Sequence, residues 1–188
     1  MRADARVVEP RWSRDFIAPS YRSADSKHAY ALTVLSHIFG GSETSRLWRA
    51  MVVDGKLALS ASAGYSATRL GLSAFDISVH PAPQKSIVDM EGAVVDQMKR
   101  LLDDGVTPEE VERAQNQLLA AAIYSQDSLA SGPRIYGTML GLGASIADID
   151  DWPKRVAAVT PADVLAAARL VWREDAQVTS MLLPEGGR

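Results

Sequence analysis

The stretch Gly40-Gly41-Ser42-Glu43-Thr44-Ser45-Arg46-Leu47-Trp48-Arg49 separates two helical patterns. Upstream of it, Ala31, Val34, Leu35 and Ile38 recur at helical spacing within Ser26 to Phe39. The glycine pair closes that helix, because glycine accepts the left-handed conformation common at helix ends. Thr44 or Ser45 then caps a second, short helix running to about Val53. Asp54-Gly55 forms a turn.

Downstream, Leu57, Leu59, Ala61, Ala63 and Tyr65 alternate with Ala58, Ser60, Ser62 and Gly64, which predicts a strand with one smaller, more polar face. A second strand follows Gly71, with Phe75, Ile77 and Val79 on one side and Ala74, Asp76, Ser78 and His80 on the other. The short link Ser66 to Leu70 suits an antiparallel hairpin. Pro81 and Pro83 end it. Ile87, Met90, Val94, Val95, Met98, Leu101 and Leu102 then trace one face of a long helix, which Gly105 closes. Thr107-Pro108-Glu109-Glu110 is a strong start for the next, with threonine at the cap, proline at the first position and glutamate at the third. Gly132-Pro133 is expected to interrupt that helix, which resumes over Ile135 to Leu142. Asp151-Trp152-Pro153 opens a short helix, Thr160-Pro161 opens the last, and Gln177 to Leu183 is a closing strand. At the other end, residues 1–14 are expected to be a linker or lead-in, and Asp15 to Tyr21, with its Pro19, a short edge strand. The order is not the strict alternation of a parallel doubly wound sheet. It predicts one α+β domain over 15–188, a mostly antiparallel sheet with helices packed on one face.

Composition narrows the function classes. The chain has 188 residues, 47% of them hydrophobic, enough for a core of its own. Its net charge of -3 is evenly mixed, without the basic stripe that nucleic acid demands or a basic amphipathic helix for a membrane surface. No apolar run approaches the roughly 20 residues of a membrane span. Met1 to Glu9 lack the apolar core of a signal peptide, and a polar lead-in fits a piece of a longer protein. The absence of cysteine removes disulfides, thiolate metal sites and a cysteine nucleophile, and leaves cytoplasm and periplasm equally open.

Catalytic patterns are missing. A helical zinc pair needs histidines four residues apart, but His28 and His37 are nine apart, and His80 ends a strand. A calcium loop counted from Asp148 would need Gly and Glu where Pro153 and Val159 stand, so Asp148, Asp150 and Asp151 are expected to charge and cap the Trp152 helix. No serine sits on a Gly-x-Ser-x-Gly elbow, and Gly141-Leu142-Gly143 follows no strand. No catalytic or metal-ligating residue is assigned.

The opening stretch resembles the Gly-Gly-x-x-x-Ser-Arg-Leu-aromatic signature of the insulinase/pitrilysin zinc metallopeptidases, a group that includes the mitochondrial processing peptidases. The resemblance continues in order. Lys56-Leu57-Ala58-Leu59-Ser60 is similar to the family's Leu-Ala-Tyr-Ser strand, Gly105 to Ala114 to its Gly-x-Thr-x-Glu-Glu-Leu-x-x-Ala helix start, Val159 to Val164 to its Val-Thr-x-x-Asp-Val helix, and Leu182-Leu183-Pro184 to its terminal strand. Family members pair two similar α+β domains around a chamber. One binds zinc on a His-x-x-Glu-His helix, which this sequence lacks in either direction. The resemblance therefore implies the second, C-terminal domain of a bacterial metallopeptidase. Such a domain is not an enzyme by itself and holds no cofactor; it forms the chamber wall and contacts peptide, with zinc in a catalytic partner domain. It also implies a signature role for Gly40, Gly41, Ser45, Arg46 and Leu47, structural rather than catalytic. Many relatives place an arginine and, seven residues on, a tyrosine as a substrate clamp; the matching positions here are Val52 and Leu59, which donate no side-chain hydrogen bond. A structural or assembly subunit of the same fold, without proteolytic role, is the alternative, and a free-standing enzyme would need a polar constellation at strand ends that the sequence does not show.

Overall fold

A computed structural model of the chain describes residues 2–4 and 6–185. Strand β1 (Arg2–Asp4) leads to β2 (Arg11–Ala18), and helix α1 spans Ala29–Gly40. Helix α2 (Arg46–Trp48) runs on without a break into a wider π-helical turn, Arg49–Asp54. The hairpin β3 (Ala58–Tyr65) and β4 (Ser73–Pro81) follows. Then come α3 (Ile87–Asp104), α4 (Pro108–Ser125), α5 (Ser131–Gly141), α6 (Ile146–Asp150), α7 (Trp152–Ala157), α8 (Pro161–Val171) and β5 (Gln177–Pro184). The sheet order is β1-β5-β2-β4-β3; β1 runs parallel to β5 and every other neighbour pair is antiparallel. The expected α+β class, mostly antiparallel with helices against one face, is the observed one.

Alternation decides which side is buried. On β2, Trp12, Phe16 and Ala18 face the helices while Arg11, Asp15 and Ile17 face out. On β4, Phe75, Ile77 and Val79 point inward, opposite Phe16, Arg14 and Trp12 in register. Helices α1 and α8 supply the other wall through Leu32, Leu35, Phe39, Val164, Ala167 and Ala168. Trp172, just past α8, meets Phe39 at 4.8 Å and Phe75 at 5.9 Å between ring centroids. Each such fully buried large side chain contributes about 2–3 kcal/mol.

Helix starts follow local chemistry. Thr107 and Glu110 form a reciprocal capping box at α4, as do Thr160 and Asp163 at α8, each with proline in the first turn. Gly105 takes φ 74° after α3, a conformation glycine adopts without penalty.

Four expectations are corrected. Strand pairing occurs within residues 1–14, the segment read as a lead-in, through β1 against β5 and through β2 from Arg11 onward, and β2 is the middle strand of five rather than an edge. Trp12 is fully buried there, while Arg14, which blurs the alternation, is itself inside and tied to Glu91 of α3 and Thr179 of β5. Helix α4 stops at Ser125, and Gly132-Pro133 lies in the first turn of α5, where a proline lacking its N–H loses nothing. Asp148 caps α6 by boxing with Ser145 instead of capping the Trp152 helix. The backbone N–H and hydroxyl of Ser145, then Arg155, hold the Asp148 carboxyl down to about 2. Asp151 pairs with Lys154 and makes no capping bond.

Candidate functional site

Two stretches singled out in the sequence are halves of one contact. Ser45 caps α2, its hydroxyl accepting from the Trp48 N–H at 3.4 Å, and Leu47 is fully buried in the core. Between them Arg46 reaches across to the start of α4. Its Nε and Nη2 donate to the two carboxylate oxygens of Glu110, both at 2.6 Å, and Nη2 also donates to the Gly105 carbonyl at 2.9 Å. Glu110 in turn accepts from the Thr107 N–H at 2.9 Å. The fork geometry of guanidinium and carboxylate makes this the strong kind of ion pair. Burial opposes ionisation of Glu110, but Arg46 and the Thr107 N–H outweigh it and hold the carboxyl below its ordinary value.

The glycine pair has a different physical reason from the one expected. Gly41 has φ -81°, ψ -3°, a right-handed conformation open to any residue. What excludes side chains is space. A Cβ on Gly40 would lie 2.1 Å from the Ala63 backbone nitrogen, and one on Gly41 would lie 2.7 Å from His37 Cα. Helix α1 therefore rests directly on β3, which itself buries the small side chains of Ala58, Ala61 and Ala63, with Tyr65 partly buried beside them.

The two clamp positions differ in surroundings. Val52 is half-buried in the π-helical turn and packs against the core. Leu59 is expected from alternation to share a face with Ala61 and Ala63, yet it is 53% exposed. A register irregularity between Ala58 and Ser60 inserts a residue, so Leu59 turns to the opposite side. No pattern of residue types marks that bulge in advance. Strand β3 is the outer strand beside β4, with neither charge nor proline over Ala58–Tyr65.

The histidines stay apart. His37 Nε2 pairs with Gln117 Oε1 at 2.8 Å and His80 Nδ1 with the Ser60 hydroxyl at 2.7 Å. One turn before His37 stands Thr33, whose hydroxyl is spent on the Ala29 carbonyl. Among the described residues no group of three or more His, Cys, Asp or Glu is placed to hold a metal ion. Nor is any helix among them long and apolar enough to cross a membrane.

Residues 16–118 match the family model of the peptidase M16 inactive domain. No curated protein matches the sequence. Solved structures share the fold. A protease from Helicobacter pylori is 17% identical with a TM-score of 0.88, over 97% of this chain and 43% of that one. The peptidase M16 inactive domain from Pseudomonas fluorescens is 18% identical with a TM-score of 0.81, over 94% and 41%. A chain of complex III2 from Candida albicans is 14% identical with a TM-score of 0.78, over 97% and 44%. The present chain thus spans less than half the length of each. A family match over more than half of the sequence, on a fold shared nearly end to end, makes this chain a member of peptidase family M16, the insulinase/pitrilysin peptidases, as the inactive domain.

Proposed function

We propose that the chain serves as the non-catalytic C-terminal domain of a zinc metallopeptidase. It closes one wall of the chamber and helps hold an extended peptide, while a separate domain with a His-x-x-Glu-His helix carries zinc and activates the hydrolytic water. The family match over residues 16–118 carries this reading. The peptide-holding part is supported by β3. An uncharged, proline-free strand at a sheet edge is the usual template for strand addition, and main-chain pairing needs no arginine–tyrosine clamp.

The first test is the intact mass of the native protein that carries this sequence. A mass about twice that of the 20.3 kDa chain means a fused two-domain peptidase. A mass equal to it means a separate subunit, which should co-purify with a zinc-bearing partner. In the assembled peptidase, Ser62→Lys on β3 should raise KM for peptide and leave kcat nearly unchanged, since a charged edge resists strand addition. Replacing His37 and His80 together by alanine should leave activity intact; its loss in a folded variant would count against the reading.

The alternative is a structural subunit of the same fold without proteolytic role. The likeness to a chain of a fungal complex III2 supports it. A native subunit of this mass that purifies without any zinc-bearing partner would decide for it.

A further inference from the structure

The sheet face turned away from the helices is built in rows. Ser180, Ser13, Ser78 and Ser62 stand in register across β5, β2, β4 and β3. The next row reads Val178, Asp15, Asp76, Gly64. Two carboxylates are therefore directly opposed on the two central neighbouring strands, a placement that destabilises an antiparallel pair when both are charged. The Asp76 carboxylate leans toward β3. A Cβ on Gly64 would lie 2.6 Å from its Oδ1, so the carboxylate occupies the space above that glycine.

The surroundings offer weak compensation. Val178, on the far side of Asp15, is apolar, and Ser62 and Gly64 bring no charge from β3. Among the described residues of β2 to β5, the arginine on this face is Arg11, four residues along β2 from Asp15, whose Nε donates to the Ser78 hydroxyl at 3.2 Å. His80, four residues along β4 from Asp76, is paired with Ser60.

We infer that Asp76, opposed by Asp15 and seated over Gly64, is a proton-binding site that makes this face of the sheet acid-sensitive. As pH falls, Asp76 takes up a proton, and the charge opposition between β2 and β4 is relieved. Burial first, and Asp15 second, raise the Asp76 carboxyl above its ordinary value of 3.8, as the geometry requires. The sign follows. An acid that binds its proton more tightly when folded destabilises the fold above its folded value, and that cost disappears as pH falls toward the unfolded value.

The experiment is a carboxyl-carbon NMR titration of the whole chain. The Asp76 midpoint should lie above 3.8 and should move down in Asp15→Asn. A midpoint at or below 3.8, or one that Asp15→Asn leaves in place, overturns the inference. Denaturant unfolding of Asp76→Asn supplies a second readout. The variant should be more stable than the parent at pH 7 and lose that advantage as pH approaches 3.8; an equal difference at both pH values also overturns it. Should Asp76→Asn fail to fold, the Asp15→Asn titration decides alone.

Discussion

Glu110→Ala should cost this chain about 3 kcal/mol, and the parts of that figure can be read from the contacts. Its carboxylate meets the Arg46 guanidinium at both oxygens, with side-chain exposures of 23% for Arg46 and 16% for Glu110. A fully exposed pair contributes about 0–1 kcal/mol, and breaking a buried one costs about 3–5 kcal/mol. A largely covered, two-point pair that still touches solvent falls near ~2 kcal/mol, between these limits. The carboxylate also accepts from the Thr107 N–H, and loss of that bond adds about 1 kcal/mol. The pairwise part is isolated by a double-mutant cycle with Arg46→Ala, measured by guanidinium chloride unfolding at pH 7. A coupling energy of about 2 kcal/mol is expected. A value below about 0.5 kcal/mol would refute the argument that Arg46 joins the Ser-Arg-Leu turn to the start of α4. The pH dependence provides a check with a definite sign. Glu110 has a folded value below its ordinary 4.5, so its contribution is present above that pH and is lost as pH falls through the folded value. Glu110→Gln should therefore flatten the acid limb of the stability curve and approach the parent's stability at low pH.

Other substitutions discriminate between reasons for the same residue type. Gly40→Ala forces a methyl group onto the Ala63 backbone and should cost about 3 kcal/mol or prevent folding, whereas Gly92→Ala, on an exposed position of α3 with nothing within 4 Å, should stabilise by about 0.5–1 kcal/mol; thermal unfolding of both variants checks the pair. Glu91→Ala leaves the buried Arg14 guanidinium without its carboxylate and should cost about 3 kcal/mol in denaturant unfolding, with part of the loss recovered in Arg14→Met/Glu91→Leu.

The fold class was legible because its signals are local. Capping boxes at Thr107 and Thr160 announce helix starts through bonds within four residues. The alternation of Phe75, Ile77 and Val79 announces a strand because one face must be dry. The candidate signature at Gly40 to Leu47 was visible as a pattern of residue types, and so was the absence of a helical histidine pair. Several features lay outside that reach. The middle position of β2 depends on β5 returning from the far end of the chain to pair with Arg11–Phe16, and no neighbour in sequence records that pairing. The exposure of Leu59 depends on a bulge set by how β3 registers against β4.

What the amino-acid order settled alone is most of the succession of helices and strands, the caps at Thr107 and Thr160, and the apolar side of β4 and α3. These follow from backbone bonds and periodicities spanning a few residues. The tertiary structure decided why particular residues stand where they do. Gly40 is glycine because β3 passes 2.1 Å from where its Cβ would lie, not because of its backbone angle. Arg46 meets Glu110, 64 residues further on, and Asp15 stands opposite Asp76 on the neighbouring strand. Such contacts join groups distant in sequence, so their energies exist only once the sheet and its covering helices have brought the chain together.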